Sequence, residues 1–357
     1  MLIYIDNTIG EYLADTELTY EQIMLFNDVG QANKRGSCIA CGEVKSIDAL
    51  IAHEDIASGA IKLLRSNGTD LKEICRLVDV VFVITCREKE GTRKLPRYIK
   101  DKARYLSIEE AGRWVLGNKC SLIGENLRDC AFYAQLGRFF CYANKVKGVS
   151  VSFSPENGGG SSTGDTLTSC VKEQNKFALC IVDRDWRYGH TSHGSPESGG
   201  TCKAVEKAAQ LLDEEHYRDK FHLCPLNVHE AENLIPICVL EKLPEAVCSP
   251  KGREVVKMLK EVSSGEPILY YDFKKKLKDK GNEAYFAYWD KIRLELGGKA
   301  WEDTYYPVGK RVLSQATNYM KDTGLEWITL DDYLKRAWEL LGRILFTWGC
   351  VSLPTST

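Results

Sequence analysis

The chain has 357 residues, of which 44% are hydrophobic and 27% are charged, and its formal net charge is −2. This composition is typical of globular proteins, and the length predicts two or three domains. A nearly neutral chain has no general basic field for nucleic acid, so any such binding must use local patches. No apolar stretch reaches the roughly 20 residues of a membrane-spanning helix. An N-terminus without a basic segment and fourteen scattered cysteines predict a cytoplasmic protein with free thiols.

Residues 1–115 predict a separate α/β region. Apolar runs at 2–5 and 78–85 predict strands, and periodic apolar residues at 47–65 and 108–116 predict helices. Because no convincing set of catalytic acids stands out there, we interpret the region as a scaffold or a partner-docking region.

A Cys-x-x-Cys pair lies in this region, at Cys38 and Cys41. The spacing is compatible with a zinc knuckle or with redox chemistry, but a structural zinc needs two further ligands and the sequence has no second knuckle. We interpret the pair as two semi-buried thiols, with zinc binding as the alternative.

Two basic segments are candidates for contact with nucleic acid. The first, residues 91–105, interleaves tyrosines with basic residues, and the second is the lysine run at 274–280. Such segments can follow a phosphate backbone, although solvated surfaces have the same composition. The candidate contact residues are Arg93, Lys94, Arg97, Lys100, Lys274, Lys275 and Lys276.

The most informative segment is an apolar run at 177–182 that ends in a D-x-D pair, Asp183 and Asp185. A buried strand that ends this way brings both carboxylates to one edge of a sheet. Their mutual repulsion there favours a hard divalent cation such as Mg²⁺. His190 and His193 in the following loop are candidates to face a substrate phosphate, although exposed loops also contain histidines without a catalytic role.

Acids also follow two other predicted strands, at 121–124 and 221–228. The carboxyl ends of parallel strands meet at one edge of a sheet, where such folds place their sites. The alternative is that these acids are solvated strand ends and helix caps, which Asp and Glu often are. The additional candidate ligands are Glu125, Asp129, Glu230 and Glu232.

The segments between these acids predict one domain over residues 116–240. Strands and helices alternate, which implies a parallel sheet flanked by helices, since crossovers are nearly always right-handed. Residues 241–357 predict a mainly helical region whose tryptophans form a core. The predicted strands of the sheet are 121–124, 148–153, 177–182 and 221–228, and the helices between them are 126–140, 165–173 and 201–212.

Residues 120–236 resemble a TOPRIM domain, the metal-binding module of topoisomerases, primases, RecR-like proteins and OLD-type nucleases. The family pattern is a glutamate after the first strand and D-x-D after the third, which Glu125, Asp183 and Asp185 match. The sequence departs from the pattern in one respect, because Gly124 precedes the glutamate and the family usually has glycine after it.

A second resemblance is narrower. The E-x-x-x-D of OLD-like nucleases is matched by Glu125 and Asp129, and residues 229–236 are similar to a segment of TOPRIM nucleases from antiphage systems, including the AriB-like toxin subunit of PARIS. The resemblance implies a TOPRIM endonuclease that acts as a toxic effector of antiphage defence.

The resemblance also implies cofactors and partners. Mg²⁺ or Mn²⁺ would be the cofactor, with Glu125, Asp183 and Asp185 catalytic and the remaining strand-end acids as further ligands. The substrate would be RNA such as tRNA, or DNA, and the partner a separate ABC-type ATPase subunit, because the chain has no ATPase motif. A homo-oligomer is compatible with these expectations. The alternative is a non-catalytic TOPRIM scaffold for nucleic-acid or protein recognition.

Overall fold

The computed structural model describes residues 1–66, 71–114, 116–190, 195–275, 283–296 and 306–353. Within this part of the chain, two parallel sheets of four strands each are flanked by helices, and a two-stranded antiparallel sheet joins distant segments. The chain is therefore an α/β protein. The strands are β1 (Leu2–Ile5), β2 (Ile39–Gly42), β3 (Val81–Thr85), β4 (Ala103–Ser107), β5 (Ser121–Gly124), β6 (Val149–Val151), β7 (Ser154–Asn157), β8 (Ala178–Asp183), β9 (Phe221–Leu226) and β10 (Cys350–Ser352).

Helices connect the strands of both sheets and make up most of the C-terminal region. The α-helices of the first region are α1 (Asn7–Leu13), α2 (Tyr20–Lys34), α3 (Val44–Ala52), α4 (Ser58–Ile61), α5 (Leu63–Ser66), α6 (Leu71–Leu77), α7 (Arg97–Lys100) and α8 (Ile108–Arg113). The later ones are α9 (Leu127–Ala143), α10 (Thr163–Thr168), α11 (Gly200–Glu214), α12 (Ile237–Leu240), α13 (Pro250–Glu261), α14 (Glu283–Glu295), α15 (Val312–Thr323) and α16 (Asp332–Gly349).

The first sheet has the strand order β2-β1-β3-β4, and the second has the order β7-β5-β8-β9. In each sheet, the first strand in sequence therefore lies between the second and the third. The central strands β1, β3, β5 and β8 are buried almost throughout, because helices cover both faces of a parallel sheet. This burial on both faces explains the continuous apolar runs that predicted these strands.

One predicted strand of the second sheet is wrong. Within the segment 148–153, β6 forms and pairs antiparallel with β10, outside the parallel sheet. The strand beside β5 is instead β7, which comes directly after β6 in the chain and contains Pro155. Because β7 is an edge strand that pairs only with β5, it tolerates a proline and polar side chains, and it has no apolar pattern to reveal it.

The helices have clear local causes. Helix α11 buries Cys202, Val205, Ala209 and Leu212, which form one apolar stripe at helical spacing. Helix α9 begins with a capping box at Asn126, which satisfies backbone N–H groups of its first turn.

An aromatic core links the first sheet to the second and to the C-terminal helices. Phe82 of β3 makes edge contacts with Phe177, at 4.7 Å between ring centroids, and with Trp348, at 5.7 Å. Trp289, Trp338 and Trp348 are each only 2% exposed, so these tryptophans form a core as predicted. Trp301 lies outside the described residues. These contacts pack the C-terminal helix α16 against β3 of the first sheet.

Candidate metal centre

The acids predicted at three strand ends lie near one another at the carboxyl edge of the second sheet. Glu125 follows β5, Asp183 is the last residue of β8, and Glu230 lies just beyond β9. The neighbours that interact electrostatically with Asp183 are Glu125, Asp129, Glu232 and Glu230. The fold therefore brings together side chains separated by more than one hundred positions in the sequence.

The carboxyl groups of Glu125 and Asp183 have raised pKa values. Burial raises the pKa of Glu125 to about 7, and the charges of Asp185 and Asp129 add to this effect. Burial also raises the pKa of Asp183 well above its ordinary value, and the neighbours that contribute to that shift are all carboxylates. Carboxylates in this arrangement repel each other unless a cation lies between them.

Asp185 is held in position by its backbone and by a close glycine. Its φ angle is 56°, in the left-handed region that non-glycine residues rarely adopt. Its N–H donates to the carbonyl of His229 at 3.1 Å, which links the end of β8 to the segment after β9. Gly199, at the start of α11, leaves room for the Asp185 carboxylate, because a Cβ at that position would overlap Asp185 Oδ2. Such strained positions cluster at functional sites.

The glycine-rich turn after β7 closes the edge beside Glu125. Gly158 N–H donates to the Gly124 carbonyl at 2.8 Å, and Gly159 N–H donates to the Glu125 carbonyl at 3.0 Å. A Cβ at Gly158 would come within 2.6 Å of the Gly124 oxygen, so only glycine allows this approach. The turn thereby fixes the backbone of Glu125.

Asp129 has a structural role in addition to its place in the cluster. Its Oδ2 accepts hydrogen bonds from the backbone N–H of Asn126 at 2.9 Å and from Asn126 Nδ2 at 2.8 Å. These contacts form the capping box of α9, so part of its carboxylate is already occupied. Burial nevertheless raises its pKa, and Asn126 and Lys274 oppose that rise.

The C-terminal region contributes a lysine that the sequence did not assign to the site. Lys274 Nζ lies 2.6 Å from Glu230 Oε2 and 2.9 Å from Glu232 Oε1. Burial raises the pKa of Glu232, and Lys274 opposes that rise. The Lys274 side chain is 47% exposed, so it pairs with Glu230 and Glu232 from the surface of the cluster, and its predicted contact with nucleic acid stays a prediction.

His229 and Asp272 extend the cluster on the same side. His229 is 2% exposed, and its Nε2 lies 3.6 Å from both Glu230 Oε1 and Asp272 Oδ2. Burial acts to raise the pKa of Asp272, but His229 and the backbone N–H groups of Lys274 and Lys275 together hold it below its ordinary value. Glu230 is adjacent to His229 in the sequence, whereas no local pattern indicates Asp272 as its second carboxylate neighbour.

The loop after D-x-D packs on the C-terminal helices. Trp289 Nε1 donates to the carbonyl of Arg187 at 2.8 Å, and Trp186 contacts His190 edge to face. His190 is exposed, and its Nδ1 lies 2.9 Å from Ser195 Oγ. His193 lies outside the described residues.

The candidate nucleic-acid contacts divide into free and engaged side chains. Arg93 is only 14% exposed and its Nε lies 3.3 Å from Oδ2 of the buried Asp6, so this guanidinium is engaged within the chain, and its predicted contact with a phosphate backbone stays a prediction. Lys94, Arg97 and Lys100 are exposed, as is Lys275. Lys276 lies outside the described residues.

The cysteines do not form a zinc site in the part of the chain that the structure describes. All fourteen are free thiols, and Cys38 and Cys41 are buried. Among the described residues, the group of His, Cys, Asp or Glu ligand atoms within 4.8 Å of one another consists of His229, Glu230 and Asp272. Burial raises the pKa of Cys38 to about 12, so this free thiol is protonated at neutral pH.

Comparison of the chain with protein-family models, curated proteins and solved structures finds no match. In the described residues, no helix is both long and apolar enough to cross a membrane. The geometry and electrostatics of the acidic cluster are therefore the basis for assigning a function.

Proposed function

We propose that the chain is a Mg²⁺-dependent endonuclease of TOPRIM fold that hydrolyses phosphodiester bonds of RNA or DNA. The observation that supports this most directly is Asp183, a strand-end aspartate whose pKa is raised by burial and by four surrounding carboxylates. A cation bound among these carboxyl groups would favour their charged forms, and a ligand that binds only the folded chain stabilises it.

The chemistry of the donors suits a hard cation, but among the described residues the donor atoms that lie within 4.8 Å of one another are those of His229, Glu230 and Asp272, not those of Glu125 and the D-x-D pair. Glu125, Asp183 and Asp185 would hold Mg²⁺ through carboxylate oxygens, which are its preferred ligands, with Glu230 and Glu232 at the far side. When bound, the ion would neutralise the phosphate and lower the pKa of a coordinated water. The pKa of Glu125 is about 7 in the metal-free chain, and a bound cation would lower it, so Glu125 would be a charged ligand at neutral pH.

The strand positions support the family part of the proposal. A glutamate follows the first strand of a four-stranded parallel sheet, and D-x-D begins at the end of the third. The role in antiphage defence, the toxicity and the separate ABC-type ATPase partner come from the sequence resemblance alone, as does tRNA as one RNA substrate.

The test is cleavage of labelled single- and double-stranded DNA and of tRNA by the purified full chain, with Mg²⁺ or with EDTA. Asp183→Asn should lower the rate by about 100-fold or more, since even residues that only orient metal ligands contribute about 10- to 100-fold. Asp165→Asn, an exposed residue of α10, is the matched control and should cleave at the wild-type rate. Cleavage that persists in EDTA, or that Asp183→Asn leaves unchanged, would refute the proposal.

One observation favours the alternative of a non-catalytic TOPRIM scaffold. Lys274 already neutralises part of the cluster through Glu230 and Glu232. A scaffold predicts that the wild-type chain has no measurable affinity for Mg²⁺ or Mn²⁺ in a calorimetric titration and no cleavage with either metal. Binding that Asp183→Asn abolishes would exclude it.

A further inference from the structure

The side of the acidic cluster that contains a histidine differs chemically from the carboxylate side. His229 is almost completely buried, and neither of its ring nitrogens has a hydrogen-bond partner. Buried polar groups are nearly always satisfied, so an unsatisfied imidazole among acids requires an explanation. The surrounding geometry supports one explanation, which is that Nε2 binds a metal ion.

Two carboxylates face this imidazole, and in each of them one oxygen contacts a hydrogen-bond or ion-pair partner while the other oxygen points toward His229. Asp272 Oδ1 accepts from the backbone N–H groups of Lys274 at 2.9 Å and Lys275 at 2.8 Å, which leaves Oδ2 toward His229. Glu230 Oε2 is paired with Lys274 Nζ, which leaves Oε1 toward His229. Partners that orient carboxylates in this way are typical of metal ligands.

The spacing of the three donor atoms agrees with a shared ion. Nε2 of His229 lies 3.6 Å from each facing oxygen, and all three donors lie within 4.8 Å of one another. Donor atoms that bind one metal at about 2.1 Å lie roughly 3 to 3.5 Å apart, so a small contraction suffices. At 3.6 Å the imidazole is too distant for good hydrogen bonds to either carboxylate.

The backbone holds this arrangement against the D-x-D pair. The His229 N–H donates to the Leu269 carbonyl at 2.8 Å, and its carbonyl accepts from Asp185. His229 is therefore fixed between the end of β8 and the segment that presents Asp272.

We infer that His229, Glu230 and Asp272 form a binding site for one divalent transition-metal ion, separate from the all-carboxylate Mg²⁺ position. Imidazole nitrogen is a poor ligand for Mg²⁺ and a good one for transition metals, so the site selects such ions over Mg²⁺. The inference deepens the proposed function, since it rests on the same cluster and shares Glu230 with it. It identifies two positions of different metal preference.

Pulsed electron paramagnetic resonance with Mn²⁺ as the probe tests this site without a cleavage assay. Full-length protein freed of metal with EDTA and then dialysed receives less than one equivalent of Mn²⁺ in excess Mg²⁺. The electron spin-echo should show ¹⁴N modulation from one imidazole, and ¹⁵N-histidine labelling should replace it with the ¹⁵N pattern. His229→Gln should abolish the modulation and weaken Mn²⁺ binding at least tenfold, whereas His190→Gln, in the exposed loop nearby, should retain both.

Three results would overturn the inference: bound Mn²⁺ without nitrogen modulation, modulation that persists in His229→Gln, or no Mn²⁺ binding in the presence of Mg²⁺. If His229→Gln fails to fold, as judged by circular dichroism, the labelled wild type and Asp272→Asn still decide the question. Asp272→Asn keeps the imidazole and should weaken Mn²⁺ binding. The proposed nuclease function fails separately, through Asp183→Asn, so either result is distinguishable from the other.

Discussion

Removing the charge of Glu125 should stabilise the metal-free protein at the pH where the enzyme would work. Burial and acidic neighbours raise the pKa of Glu125 from 4.5 to about 7 in the folded state. The folded protein therefore binds this proton more tightly than the unfolded chain does. The stability that the proton contributes is complete below pH 4.5 and is lost as the pH rises through 7.

The size of the effect follows from that shift. At about 1.4 kcal/mol per pKa unit, the rise of about 2.5 units corresponds to at most about 3.5 kcal/mol, and solvent screening of a partly exposed side chain reduces it to about 1–2 kcal/mol. Glu125→Gln keeps the shape of the side chain without its charge. We expect it to unfold like the wild type at pH 4.5 and to be more stable by this amount at pH 8.

Urea denaturation in EDTA, followed by circular dichroism from pH 4.5 to 8.5, measures the difference. The exposed Glu54→Gln is the control and should change stability equally at both ends of the range. A Glu125→Gln variant that is no more stable than the wild type at pH 8, or whose gain is the same at pH 4.5, would refute the electrostatic argument. Saturating Mg²⁺ should reverse the order, because the ion stabilises only the protein that retains the ligand.

Three further predictions concern the neighbours of the cluster and the basic surface. Gly199→Ala should lower Mg²⁺-dependent cleavage, since its methyl group would displace the Asp185 carboxylate. Gly200→Ala is the control, because a methyl group there meets open space and should leave cleavage unchanged. Equal rates for the two variants in steady-state assays would contradict this. Lys274→Met should lower the free energy of unfolding of the metal-free protein by about 1–3 kcal/mol, because it leaves Glu230 and Glu232 without their cation. A calorimetric melting temperature equal to that of the wild type would show that these two ion pairs are unimportant. Arg97→Ala should reduce the slope of log K against log salt for nucleic-acid binding by about 1, and an unchanged slope would remove this exposed residue from the interface.

The sequence predicts the buried parts of the fold well because their signals are local. The apolar runs at 2–5 and 121–124 are β1 and β5, and the run at 177–182 is β8 to within one residue. The polar edge strand β7 could not be found this way, since its side chains need not be apolar at an edge. The antiparallel partner of β6 lies about 200 residues away, and no local pattern encodes such a contact.

The same distinction between local signals and long-range contacts applies to the site. Acids at strand ends are predictable, because parallel topology sends the carboxyl ends of all strands to one edge. Asp272 and Lys274 follow no strand of that sheet and reach the cluster only through the packing of the C-terminal region. The lysine run predicts a basic surface, and the structure adds that Lys274, one of its members, pairs with the buried acids Glu230 and Glu232.

The two parallel sheets show why an acid at a strand end is not sufficient for a metal site. Asp6 follows the first strand of one sheet, as Glu125 does in the other. Asp6 is fully buried, but Thr8 donates to its Oδ1 and the Arg93 guanidinium lies against its Oδ2, so the chain itself provides the positive charge. Around Glu125 the strongest charge contributions come from further acids, with Lys274 opposing them more weakly. A carboxylate already paired with arginine gains little from an ion, whereas mutually repelling carboxylates gain much, and this difference favours the second sheet as the metal site.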